Sequence, residues 1–233
     1  MAKPSLSSER IVAEAFAILA ESGLDGITAR ALAQRLQVQA GALYYHVPDM
    51  GSLADLMATE IMRELLTQPI AVVVDEGASQ VAAGDAESSG GEGTAPGGLG
   101  WRQLLWAMAQ QTRSRLLAFR DGAKLVSGTR LTDDSLLAGQ EEPLRILKAA
   151  GFSLQHAIWS MQTVYNFVIG FVIEEQHRDD YAEAYSVQRR GERISTESTP
   201  LTGEANEYFL GERQQQFDFA INCLLIGFAS KIN

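Results

Sequence analysis

The sequence predicts an all-α protein built in two unequal helical parts. Three observations carry this. Apolar residues recur at three- and four-residue spacing through most of the chain, and alternating strand patterns of useful length are absent. Two polar stretches, 76–100 and 178–203, interrupt the helical pattern without adding apolar periodicity of their own.

From Ser7 the positions Ile11, Ala15, Ile18 and Leu19 fall on one helical face, and Gly23 follows as a stop. Thr28 offers an N-cap for a second helix bearing Leu32 and Leu36. A third, short helix is expected over 39–45, ended by Pro48 and Asp49. The fourth begins near Ser52, with Leu53, Leu56, Met57, Ile61, Leu65 and Leu66 as its stripe, and the run Ile70 to Val74 either extends or frays it. The stretch 76–100 is rich in Gly, Ser and Glu, and predicts a flexible loop too poor in apolar groups to offset its ordering entropy.

Beyond Trp101 the pattern is more apolar. Leu104, Leu105, Met108, Leu116 and Leu117 mark one helix. A long helix over 153–177, introduced by Gly151, Phe152 and Ser153, and a last one over 205–231 are apolar around much of their circumference. Helices of that kind are buried on several sides, so pairing with a second copy in a four-helix bundle is expected, the alternative being a single buried hairpin within a larger monomer. The polar stretch 178–203 between them predicts a second flexible loop. Cys223, among Ile221, Leu224, Leu225 and Ile226, reads as core.

With 233 residues, 46% hydrophobic and 21% charged, the chain is long enough for one large core or two modest ones. The N-terminal segment turns polar before any apolar run begins, and no window approaches the ~18 apolar residues of a membrane span, so a cytoplasmic protein with no membrane partner is expected. A formal net charge of −10 argues against nucleic-acid binding through the whole surface and requires any such contact to be local.

One stretch meets that requirement. Thr28 to Val47, TARALAQRLQVQAGALYYHV, has no acidic residue and holds Arg30, Arg35, Tyr44, Tyr45 and His46. Two short helices separated by a turn have the size and spacing of a helix-turn-helix. Leu32, Ala33, Leu36, Val38 and Leu43 pack the pair, leaving Arg30, Gln39, Ala40, Gly41, Ala42, Tyr44 and Tyr45 outward. Small residues at 40–42 allow a close backbone approach to a groove floor. Carboxylates near phosphates would repel, whereas Arg30 and Arg35 would attract.

The segment GLDGITARALAQRLQVQAGALYYHV resembles the DNA-binding signature of the tetracycline-repressor (TetR) family of bacterial regulators. RDGAKLVSGTRLT (120–132), GFSLQHAIWSMQTVYNFVIGFVIEEQ (151–176) and FDFAINCLLIGF extend the likeness to the C-terminal domain of the tetracycline-binding branch. The resemblance implies a three-helix DNA-binding domain over 1–50 and a ligand-binding and dimerisation domain over 51–233. The implied function is a homodimeric repressor on palindromic double-stranded operator DNA, released by a small-molecule inducer.

It implies that Arg30 reaches a base edge through its guanidinium, with Thr28, Tyr44, Tyr45 and His46 at phosphates or along the recognition helix beside Gln39, Ala40 and Gly41. Three departures stand out. Ala40 to Ala42 are smaller than usual, so the operator need not be the same. Met50 replaces a phosphate-binding lysine, and Gln37 occupies a turn position usually held by glycine.

Tetracycline-binding members hold the drug as a magnesium chelate with a histidine on the metal, and Val126 stands at that position here. Leu66, Met108 and Thr112 match a second histidine, an asparagine and a phenylalanine that contact the drug, while Thr129, Arg130 and Glu174 are retained. Loss of the imidazole argues against magnesium-tetracycline. Met108, Val126, Ile158, Met161 and Tyr165 suit a mainly apolar or aromatic ligand, with no resident metal or cofactor implied.

The competing class is a helical small-molecule-binding protein or enzyme without sequence-specific DNA binding. Against it, the chain shows no nucleophile with a base at meaningful spacing, no glycine-rich phosphate loop and no metal cluster. Glu174 and His177 have Glu-x-x-His spacing, but the second such motif and the extra glutamates of a carboxylate-bridged site are missing. Arg120 and Asp121 read as the end of a connector to the DNA-reading head.

Overall fold

The structure, a computed structural model, describes residues 5–67, 100–195 and 197–232. Of the expected loop over 76–100, residues 76–99 lie outside the described residues, as does the Ile70 to Val74 run.

Helix α1 (Ser8–Ser22) starts on Ser7, whose hydroxyl accepts the Arg10 N–H, and stops at Gly23 with φ 73° and ψ −174°. A 3-10 turn, Leu24–Gly26, leads to α2 (Ala29–Leu36), capped by Thr28 through a 3.1 Å bond from the Ala31 N–H. Gln37 closes α2 in the left-handed region at φ 56° and ψ 47°, the backbone that a glycine position predicts. Helix α3 (Ala40–Leu43) follows, and Leu32, Ala33, Leu36, Leu43 and Val47 are buried against Ile11, Ala15, Ile18 and Leu19 of α1.

Helix α4 (Met50–Thr67) leaves this head and enters the larger body, beginning two residues earlier than the sequence pattern suggests. The body contains α5 (Trp101–Leu117), α6 (Gly122–Val126), a 3-10 turn (Asp134–Gln140), α7 (Glu141–Ala149) and α8 (Leu154–Asp180). Four helices complete the order: α9 (Val187–Gly191), α10 (Pro200–Glu204), α11 (Asn206–Phe209) and α12 (Arg213–Ala229). Among the described residues no strand occurs, and no helix is long and apolar enough to cross a membrane.

Three expectations change. The stretch 178–203 contains two short helices, because Ser186 caps α9 and Pro200 opens α10. The last long helix begins at Arg213, since the chain leaves helical geometry after Phe209 at Leu210, with φ −120° and ψ 23°. Cys223 is exposed, not core: it shares the outer face of α12 with Phe219 and Ile226, while Phe217, Ile221 and Leu225 point inward. Local apolar composition cannot tell those two faces apart.

One polar group is tied into the core where α5, α8 and α12 meet. Arg113 donates to both oxygens of Glu175 at 2.9 and 2.7 Å and also to Gln214. Its guanidinium lies 4.8 Å from the Phe217 ring centroid. Two charges this deep persist because each satisfies the other.

Candidate nucleic-acid interface and ligand cavity

In the head, Thr28, Arg30, Gln39, Ala40, Gly41, Tyr44, Tyr45 and His46 are all exposed, on and beside α2 and α3. Tyr45 is 90% accessible, which marks it as no part of the core. A Cβ on Gly41 would meet nothing within 4 Å, so internal packing does not require glycine there. Thr28 already spends one acceptor site on its cap.

Arg35 departs from expectation. It donates to Glu14 at 3.0 Å and Glu21 at 2.7 Å, both on α1. Its charge is therefore met within the head, and Arg30 is the arginine of the acid-free stretch left at the exposed start of α2.

The body holds a half-open cavity of about 790 Å³. Leu66 of α4, Met108 and Thr112 of α5, Val126 and Thr129 at the end of α6, and Ile158, Met161 and Tyr165 of α8 all line it. Met62, Leu65, Gln111, Leu131, the turn 138–140, Glu142, Pro143, Ile146 and Gln162 complete much of the wall. These had no separate signal in the sequence, because a cavity-facing Leu or Ile repeats at the same spacing as a core-facing one. Close backbone approach closes one side: a Cβ on Gly139 would lie 2.1 Å from the Leu66 carbonyl oxygen. Burial raises the Tyr165 phenol above its ordinary pKa, which keeps it protonated as a donor.

Two expected ligand residues are not in this wall. Arg130 lies on the surface, its backbone N–H 2.9 Å and its guanidinium 3.3 Å from the Asp55 carboxylate. Glu174 is exposed on α8, whereas its neighbour Glu175 turns inward to Arg113. Helical rotation of about 100° per residue separates those neighbouring glutamates.

Head and body meet at Arg120 and Asp121. Asp121 accepts the Leu24 N–H at 2.9 Å, and Arg120 donates to the Glu21 carbonyl at 3.1 Å. Phe16 and Phe119 pack with ring centroids 5.4 Å apart. Burial pushes the Asp121 carboxyl up, but the Leu24 N–H and Lys124 outweigh it and hold the group below its usual range. Helix α6 begins at this joint and ends at the cavity residue Val126. A second attachment runs along α4, where Asp55 holds Arg130, Thr59 accepts the Thr132 N–H at 2.9 Å, and Arg63 donates to Asp133 at 2.7 Å.

A helix-turn-helix head joined to a helical body with a ligand-sized cavity defines a class of DNA-binding regulator. Residues 11–56 match the family model described as bacterial regulatory proteins, tetR family, and 94–232 match the tetracyclin repressor-like C-terminal domain. The chain belongs to the TetR family: it is a transcriptional regulator with a helix-turn-helix DNA-binding part and a ligand-binding C-terminal domain.

It is 32% identical over 198 residues to the class A tetracycline repressor protein from transposon 1721 of Escherichia coli, covering 84% of this chain and 76% of that relative. A possible TetR family transcriptional regulator from Streptomyces coelicolor A3(2) superposes with a TM-score of 0.71 at 27% identity, covering 96% of this chain and 99% of that one. Class A TetR in complex with 5a,6-anhydrotetracycline and magnesium shares the fold at 24% identity and a TM-score of 0.62, over 97% of this chain and 99% of that one.

Proposed function

We propose that the chain is a ligand-responsive repressor whose homodimer holds a palindromic operator and releases it when a mainly apolar or aromatic inducer fills the body cavity. The observation that carries this reading is the course of α6. One end is fixed to the head through Asp121 and Leu24, and the other forms cavity wall at Val126. A ligand that displaces Val126 and Thr129 thus acts on the element that sets the head's position. By linkage, operator DNA weakens inducer binding by the same factor.

Two further observations support the partners. Trp159 of α8 and Phe219 and Ile226 of α12 are more than half exposed in the single chain, as expected of faces that a second copy covers. Two-fold symmetry then calls for an operator with matching half-sites. In each head Arg30 reads a base edge, Gln39, Ala40 and Gly41 approach the groove floor, and Thr28, Tyr44, Tyr45 and His46 hold the backbone. Leu66, Met108, Thr112, Val126, Thr129, Ile158, Met161 and Tyr165 form the inducer site.

The test is selection of bound duplexes from a random pool, followed by titration of the enriched site against scrambled DNA at matched salt. A palindromic motif is expected. Arg30→Ala should cost about 1–3 kcal/mol per head on that motif with no change in Tm. Equal affinity for the motif and scrambled DNA, or an Arg30→Ala variant that binds the motif as tightly as the parent, would sink the assignment.

A further inference from the structure

The residues around the cavity do not fit a magnesium chelate, and we propose that its ligand is an uncharged polycyclic aromatic molecule, bound without a metal ion, whose oxygen acceptors meet Tyr165 and Thr112. This rests on the reading that the cavity is the inducer site.

Magnesium demands near-octahedral coordination by hard donors and gives up its water reluctantly. The wall offers it little. Val126, 4% exposed, presents only methyl groups where the family resemblance implies an imidazole. The Thr129 hydroxyl, which donates to the Val126 carbonyl at 2.8 Å, is a neutral oxygen and brings no negative charge to a cation. Among the described residues Glu142 is the one carboxylate in the wall; it is 60% exposed and paired with Arg145, which places its charge toward solvent. Within the single chain Glu174 lies outside the lining. Among the described residues no three His, Cys, Asp or Glu side chains come close enough to share an ion.

The same wall disfavours a charged ligand. Among the described residues no lysine, arginine or histidine lines it, so an anion there would surrender its hydration without meeting a counter-charge. Among the described lining residues a cation would find the solvent-facing Glu142 alone.

What remains is apolar and donor-rich. Met62, Met108 and Met161 bring polarisable thioethers from α4, α5 and α8, groups that pack well on aromatic rings. The Tyr165 and Thr112 hydroxyls have no hydrogen-bond partner among the described residues, so each has a proton to offer. At about 790 Å³ the space admits several fused rings.

Three fluorescence titrations of the full-length protein test this, each in magnesium and again in EDTA. The probes are N-phenylnaphthylamine, anilinonaphthalene sulfonate and tetracycline. The neutral naphthylamine should bind at least about tenfold tighter than its sulfonated relative, because nothing in the wall compensates the sulfonate. Its affinity should be the same with and without magnesium, and magnesium should not tighten tetracycline. A sulfonate bound as tightly as the neutral probe, a neutral probe that does not bind, or tetracycline bound about a hundredfold tighter with magnesium than in EDTA overturns the proposal.

The acceptor contact has its own measurement. Tyr165→Phe should weaken anthraquinone, a neutral three-ring diketone, about three- to tenfold and leave N-phenylnaphthylamine unchanged. Equal loss for both makes Tyr165 a matter of shape and removes the acceptor claim.

Met108→Trp separates this from the underlying reading by filling the space, with Ile158→Phe as a second filling variant and helicity as the check on folding. Neutral-probe binding abolished by filling places the probe in the cavity. Binding that survives both variants places it elsewhere, and the inducer-site reading fails before the ligand class is at issue.

Discussion

The head and the body solve opposite problems with the same kind of element. In the head, α1 to α3 bury a small apolar centre and leave Arg30, Tyr44, Tyr45 and His46 in solvent, where their polar atoms are available to a partner. In the body the helices leave a half-open cavity between them, and its chemistry points inward from α4, α5, α6, α7 and α8. The ion pairs follow the division. Arg35 is held at the head surface by two partly exposed glutamates, whereas Arg113 is held by Glu175 with side-chain accessibilities of 10% and 7%. Charges at the head are thus adjustable at small energetic cost, and those in the body are bound to its integrity.

That contrast breaks most visibly at Glu175. Glu175→Ala strands the Arg113 guanidinium in the core and should lower the unfolding free energy by about 3–5 kcal/mol in a denaturant titration. Operator affinity, measured at low temperature where the variant is still folded, should be unchanged. A variant as stable as the parent would show that the buried pair is dispensable to the body.

A smaller effect is expected where the regions join. Gly23 sits at φ 73° and ψ −174°, and a Cβ there would lie 2.7 Å from the Asp121 carboxylate. Gly23→Ala should cost about 1–3 kcal/mol and speed hydrogen exchange at the Leu24 amide that Asp121 accepts. If exchange at Leu24 does not change, head and body are held together elsewhere.

The smallest concerns the attachment along α4. Asp133 is depressed from 3.8 to about 2, chiefly by the Ser135 hydroxyl and next by Arg63. Because its folded value is the lower one, the stabilisation is present above about pH 4 and is lost as pH falls toward 2. Thermal melts of the parent and Asp133→Asn should therefore differ near neutral pH and converge in acid. A gap that persists unchanged to low pH would assign the loss to packing.

How much was legible follows the reach of each interaction. Thr28 as a cap, Gly23 as a stop and Gln37 as a left-handed turn residue act within one helical turn, and the structure places all three accordingly. Residues predicted outward in the head are exposed, apart from the half-buried Ala42, because a small centre leaves few ways to orient short helices. In the body, Leu66, Met108 and Val126 could be assigned to a ligand only through family likeness, since their spacing is that of any buried stripe.

By itself, then, the sequence determined the helices of the head, their caps, the acid-free stretch 28–47 and the apolar character of α8 and α12, all set by neighbours a few positions away. Only the tertiary structure decided that Arg35 is neutralised by α1, that Glu175 and not Glu174 is buried, and that Cys223 is exposed. It also decided that α6 connects Asp121 to the cavity. Those outcomes depend on how separate helices rotate and approach one another, and the energy that selects a rotation is shared among contacts many residues apart in the chain.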